Sequence, residues 1–168
     1  MPLTDADIAA TLAPAGLLFI EREEDEVRLP LKPGRSAASS RREDGRFDAR
    51  PEEVVDVNDP ELAAKLNAGW LRMAVEFGLF NEQREFLISV DYSEDPVYEP
   101  EQAWAQVRLL EKWDFAGSGV EQFRGHFAGM FTTRFVPEFW ALSLDQRVLT
   151  NTTIWGNGTV STIVIRPA

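Results

Sequence analysis

The sequence predicts an α+β domain: a mainly antiparallel sheet that ends in a C-terminal β-meander and is packed by two or three helices. Three observations carry this. Leu62, Leu66, Trp70, Met73 and Phe77 recur at helical spacing, which gives a helix there one apolar face. Phe86, Ile88, Val90 and Tyr92 alternate with Leu87, Ser89 and Asp91, the period of a strand. Two further apolar runs, 148–155 and 159–166, flank Asn157-Gly158, a dipeptide that accepts positive φ and so joins antiparallel strands.

Taken in order, Thr4-Asp5-Ala6-Asp7 has the form of a capping box and opens a short helix with Ile8 and Leu12 on one side, closed by Pro14. Leu17–Ile20 and Val27–Leu31 flank the acids Glu23, Glu24 and Asp25, which reads as a β-hairpin with Pro30 marking an edge strand. Residues 34–50 lose all periodicity and collect five arginines among small residues; this segment is expected to be a mobile loop with few core contacts. Val54–Val57 reads as a short strand. Asn58-Asp59-Pro60 then starts the helix over 59–78, and Gly78 stops it. Glu99-Pro100-Glu101 predicts another helix over 99–113, with Ala103, Val107 and Leu110 inward.

Phenylalanine then stands at every fourth position, Phe123, Phe127, Phe131, Phe135 and Phe139. Gly125, Gly129, Thr132, Thr133 and Pro137 all disfavour a helix here. The spacing therefore predicts a strand from about Phe127 to Val136 with its aromatic stripe on the core and Phe131 fully buried. Trp140, Leu142 and Leu144 alternate up to a turn near Asp145-Gln146. In the last hairpin a two-residue turn sets Trp155 opposite Val160 and Ile154 opposite Ser161, with both Asn157 and Gly158 at positive φ.

A chain of 168 residues buries about 70% of its unfolded surface in one core, so residues 1–168 are expected to be a single domain. There is no cysteine, which removes disulfides, thiol nucleophiles and thiolate metal sites. A net charge of −11 argues against nucleic acid as a partner, because binding it needs basic surface. No apolar run reaches the ~18 residues of a membrane span, and the first residues lack the basic and apolar blocks of a secretory signal. The expectation is a cytoplasmic protein.

Chemistry has few footholds. The single histidine, His126, has no motif around it that supplies a nucleophile and an orienting carboxylate. There is no G-x-S-x-G elbow, phosphate-binding loop or H-E-x-x-H. Asp91–Glu99 places oxygens at alternate positions as a calcium loop does, but Pro96 and Gln102 stand where that loop needs glycine and glutamate. No catalytic, metal or cofactor residue is assigned. The function expected is a non-catalytic acidic domain for protein–protein interaction, its partner another protein or a second copy in a homodimer. The alternative is a small-molecule binder whose aromatic pocket between sheet and helix is lined by Trp70, Met73, Phe127, Phe131, Phe135 and Trp140. A carboxylate-based enzyme comes third.

Overall fold

The computed structural model describes residues 4–30, 46–91, 102–120, 123 and 131–167. Its helices are α1 (Asp5–Leu12) and α2 (Leu62–Phe77), and its strands are β1 (Leu17–Glu23), β2 (Arg46–Asp48), β3 (Val55–Asp56), β4 (Glu85–Asp91), β5 (Gln102–Leu109), β6 (Phe139–Leu142), β7 (Leu149–Ile154) and β8 (Thr159–Arg166). All pair antiparallel in one sheet of order β1-β5-β4-β6-β7-β8-β2. β3 pairs with β8 on the edge that β2 also uses. The α+β class and the C-terminal meander β6-β7-β8 are as the sequence predicts.

Local signals account for the helices. The capping box forms: the Asp7 N–H donates to Thr4 Oγ1 at 3.2 Å, and the Thr4 N–H and hydroxyl donate to Asp7 Oδ2 at 3.0 and 2.8 Å. These bonds, the backbone one first, hold the Asp7 carboxyl below the ordinary aspartate range. A depressed folded-state pKa adds stability that is present above the unfolded value, near 3.9, and is lost as pH falls through the folded value. An NMR titration should therefore give Asp7 a midpoint below ~3.9, and Thr4→Ala, which removes the hydroxyl but keeps the backbone N–H, should raise it part of the way; a wild-type midpoint at or above ~3.9 would contradict the box. α2 ends at Gly78, at φ 79°, and buries Leu62, Leu66, Trp70 and Met73. At its start the Asp59 carboxylate accepts from the Glu61 N–H at 2.8 Å and from Lys65 at 2.6 Å.

One side of the sheet packs under both helices around Ile8, Leu12, Trp70, Phe86, Ile88 and Phe115. Three ionic clips hold the periphery. Glu53, on the short 3-10 turn 51–53, is buried and takes a fork from Arg72 at 2.8 and 2.6 Å. Gly69 makes room for it, since a Cβ there would lie 2.5 Å from Glu53 Oε2. Arg166 bonds Asp48 at 2.7 Å across β8 and β2, while Arg50 bonds Glu76 at 2.5 Å. Both guanidiniums lie over the Phe77 ring, 4.8 and 5.2 Å from its centre.

Five expectations are corrected. The region given to a helix over 99–113 holds β5, between β1 and β4. Ala105, Val107 and Leu109 point to the core with period two, a pattern that overlaps the helical one at Val107. The expected hairpin does not form: β1 pairs with β5, Leu17 opposite Leu109, and residues 26–29 are not a strand. Of the segment expected to be a mobile loop, residues 46–48 form β2 and residues 34–45 lie outside the described residues. The aromatic stripe is not a strand over 131–136; only Pro137 makes an isolated bridge, and the Glu138 N–H donates instead to the Phe123 carbonyl at 2.7 Å. Phe131 is partly buried rather than fully, while Phe127 and His126 lie outside the described residues.

The last correction is a register. Gly158 is at φ 78° but Asn157 is not at positive φ. The Gly158 N–H donates to the Trp155 carbonyl and the Trp155 N–H to the Thr159 carbonyl, closing a three-residue loop, 156–158. Ile154 thus pairs with Val160 and Thr153 with Ser161. Since side chains alternate, the slip of one residue moves Val160 and Val164 to the helix side and Ile163 and Ile165 to the other.

Candidate functional site

Of the six residues expected to line a pocket, Phe127 lies outside the described residues and the other five are not brought together. Trp70 and Met73 are 1% exposed in the helix-side core. The Trp70 ring is packed by Phe80, Phe86, Trp113, Phe115 and Phe139, with centres 4.7 to 5.8 Å away. Its Nε1–H donates to Thr150 Oγ1 at 3.1 Å. Phe135 packs against the edge of that core, and Phe131 against a second cluster with Val136 and Ile154, over Gly158. Trp140 lies on the opposite side of the sheet with Leu87, Leu142 and Leu149. Trp70 and Trp140 are thus separated by the sheet itself.

Among the described residues no group of three or more acids and histidines is placed to hold a metal ion. Nor is any of their helices long and apolar enough to cross a membrane. Asp7 and Asp59 are both held low by hydrogen bonds, the reverse of what a general acid needs. Glu53 has both oxygens committed to Arg72.

The second side of the sheet carries no helix among the described residues, and its make-up changes from one end to the other. Leu87, Leu142, Leu149 and Ile165 are buried there, with Val27 and Leu29 packed on them. The Arg28 N–H is anchored to Gln146 Oε1, at the β6–β7 turn, at 2.8 Å. Residues 26–29 therefore cross this side as a strap. Beside them, Trp104 pairs with Ser89, and Trp140 with Asn151 opposite Ile163; Trp104, Trp140 and Ile163 are half-buried.

At the β1 edge the same side presents exposed aliphatic residues. Leu18 is 46% exposed and Ile20 37%. Leu110 is 40% exposed, and its N–H donates to the Gly16 carbonyl at 2.9 Å, which makes it a diagonal neighbour of Leu18. The register explains how acids join them. Phe19 pairs with Val107 but Glu21 with Gln106, so Ile20 is the extra residue of a bulge. Beyond it the alternation is reversed. Arg22 pairs with the core residue Ala105 and reaches Asp5 of α1 at 3.0 Å, while Glu21 and Glu23 share the exposed side with Gln106 and Trp104. Five of the six residues 21–26 are acidic. Sequence reasoning passed over this corner. The signal was the unbroken run Leu17–Ile20, in which alternation buries only Leu17 and Phe19.

Comparison with protein-family models, curated proteins and solved structures finds no match.

Proposed function

We propose that this chain is a non-catalytic, acidic interaction domain that receives a basic partner protein on the exposed corner formed by β1 and the end of β5. The observation that carries this reading is Leu18, Ile20 and Leu110 exposed side by side next to the acids of 21–26. Single exposed aliphatic residues need no explanation, but a group of them rimmed by charge does. Magnitudes decide what kind of partner. The exposed parts of the three side chains amount to little more than one whole aliphatic residue, about 2–3 kcal/mol of transfer energy. That alone gives weaker than millimolar binding. The acids must supply the rest, through a complementary cationic surface, and the complex should weaken with salt.

A photo-reactive residue in place of Leu18 or Leu110 is expected to capture a protein in a yield that falls as salt is raised. The same residue at Val75, 66% exposed on α2, should capture little. Equal yields at Val75 and Leu18, or yields indifferent to salt, would count against the proposal. A product of doubled mass would make the partner a second copy of the chain.

A further inference from the structure

Resting on that reading, we infer that the basic partner docks as an amphipathic helix laid on the exposed side of β1 and β5, its apolar stripe on Leu18, Ile20 and Leu110 and a Lys/Arg flank against Glu21 and Glu23. Three features of the corner point to a helix. The first is the edge itself. The Leu110 N–H bonds toward β1 and the Leu109 N–H toward β4, so the inward-bonding residues of β1 are Gly16 and Leu18. Leu17 and Phe19 then turn their backbone groups to the outer edge, where no described strand pairs with them. An added strand has regular register for only these few residues, because the bulge at Ile20 breaks the outward row, as bulges do on protected edges. Docking through side chains on the face does not meet this obstacle.

The second is size and shape. The corner is two strands wide, about 10 Å, the diameter of a helix with its side chains. On their other side the same two strands already carry α1, whose Ile8 and Leu12 share a core with Leu17, Val107 and Leu109. One side of this strand pair is thus covered by a helix, and the other carries no helix among the described residues. The third is charge. Arg22 is drawn to Asp5 on the helix side, and Arg108, opposite Leu18 on the exposed side, is tied to Glu85 at 3.2 Å, which leaves Glu21 and Glu23 on that side, followed by Glu24, Asp25 and Glu26. A helix that offers leucines on one stripe and lysines beside it matches both parts of the surface.

The test uses an ~18-residue Leu/Lys amphipathic peptide, roughly five helical turns, and the same peptide with two central prolines, titrated into the full-length protein labelled at its methyl groups. The helical peptide should shift the Leu18, Ile20 and Leu110 methyls saturably. Its binding should weaken at least about tenfold between roughly 20 and 300 mM NaCl as the Debye length shortens. The double variant Leu18→Lys/Leu110→Lys and the charge variant Glu21→Lys/Glu23→Lys should each lose about tenfold or more, about 1.4 kcal/mol. Leu144→Lys, at another exposed leucine, should lose nothing. The proline peptide should bind about tenfold more weakly. Equal binding of the two peptides at these methyls would overturn the helical mode and leave the interaction reading standing. Absence of saturable shifts at the three methyls, or equal losses at Leu144, would overturn both.

Discussion

Trp70→Ala is expected to lower the free energy of unfolding by about 3–5 kcal/mol. The indole is 1% exposed and sits at the centre of five rings, so its removal forfeits transfer energy and leaves a large cavity. The rings around it come from four separate places: Phe80 after α2, Phe86 on β4, Trp113 and Phe115 in the segment after β5, and Phe139 on β6. They cannot all collapse into the gap without moving α2, β4 and β6 relative to one another. A polar loss adds to this. The Trp70 Nε1–H donates to Thr150 Oγ1, and that buried hydroxyl keeps only a long contact, 3.4 Å, to the Ala141 carbonyl. Trp70→Phe, which keeps much of the ring packing but loses the hydrogen bond and part of the ring volume, should cost less than Trp70→Ala. Urea melts followed by far-ultraviolet dichroism measure both. A loss below ~1.5 kcal/mol for Trp70→Ala would mean that the cluster closes over the gap.

Much of this core was legible in the sequence, and the exceptions share a cause. The helix through Trp70, the strand through Phe86 and Ile88, and the hairpin about Asn157-Gly158 declare themselves within a window of about ten residues, where periodicity and turn chemistry are enough. β5 does not. Ala103, Val107 and Leu110 satisfy a helix, whereas Ala105, Val107 and Leu109 satisfy a strand, and only strands β1 and β4 on either side decide between them. β1 was visible as a strand, but its partner is remote in sequence. Local reasoning matched it to the nearest apolar run, which proved to be the strap 26–29. At the final hairpin one residue makes the difference: Gly158, at φ 78°, takes the left-handed position that closes a three-residue loop, and the register slips with it.

The exposed corner was illegible for a related reason. A run such as Leu17–Ile20 looks like a strand buried on both faces, and sequence does not say which face the fold leaves uncovered. Nor does it announce a bulge, and the bulge at Ile20 is what sends Arg22 toward α1 and Glu21 and Glu23 the other way. The aromatic stripe shows the converse. Phe123, Phe135 and Phe139 do reach the helix-side core, so composition told where they go. It did not reveal that residues 131–136 would form no strand, or that the Glu138 N–H would bond to the Phe123 carbonyl.

The corner also depends on how tightly the chain crosses itself at Gly16, and there the second large effect is expected. Gly16→Ala should cost about 2–5 kcal/mol. Gly16 ends the 3-10 turn 13–15 at φ 81°, a conformation that carries roughly 1–2 kcal/mol of strain for a residue with a Cβ. The larger obstacle is the chain leaving β5. A Cβ at Gly16 would stand 2.3 Å from the Lys112 carbonyl oxygen and 2.4 Å from Trp113 Cα. These are backbone atoms, held there by the bonds from Leu110 to Gly16 and from Asp114 to Ala15, each 2.9 Å. Relieving the overlap means moving them, an overpacking cost of about 1–3 kcal/mol. The shift would reach Trp113, whose ring is 5.5 Å from that of Trp70, and Leu110, which belongs to the exposed corner. Gly78 supplies the control: it stands at φ 79° with nothing within 4 Å of its Cβ position, so Gly78→Ala should show the conformational cost alone, about 1–2 kcal/mol. Urea melts of the two variants separate strain from collision. Equal losses would show that the 110–114 crossing gives way freely, and that the placement of Leu110 beside Leu18 does not depend on a glycine at position 16.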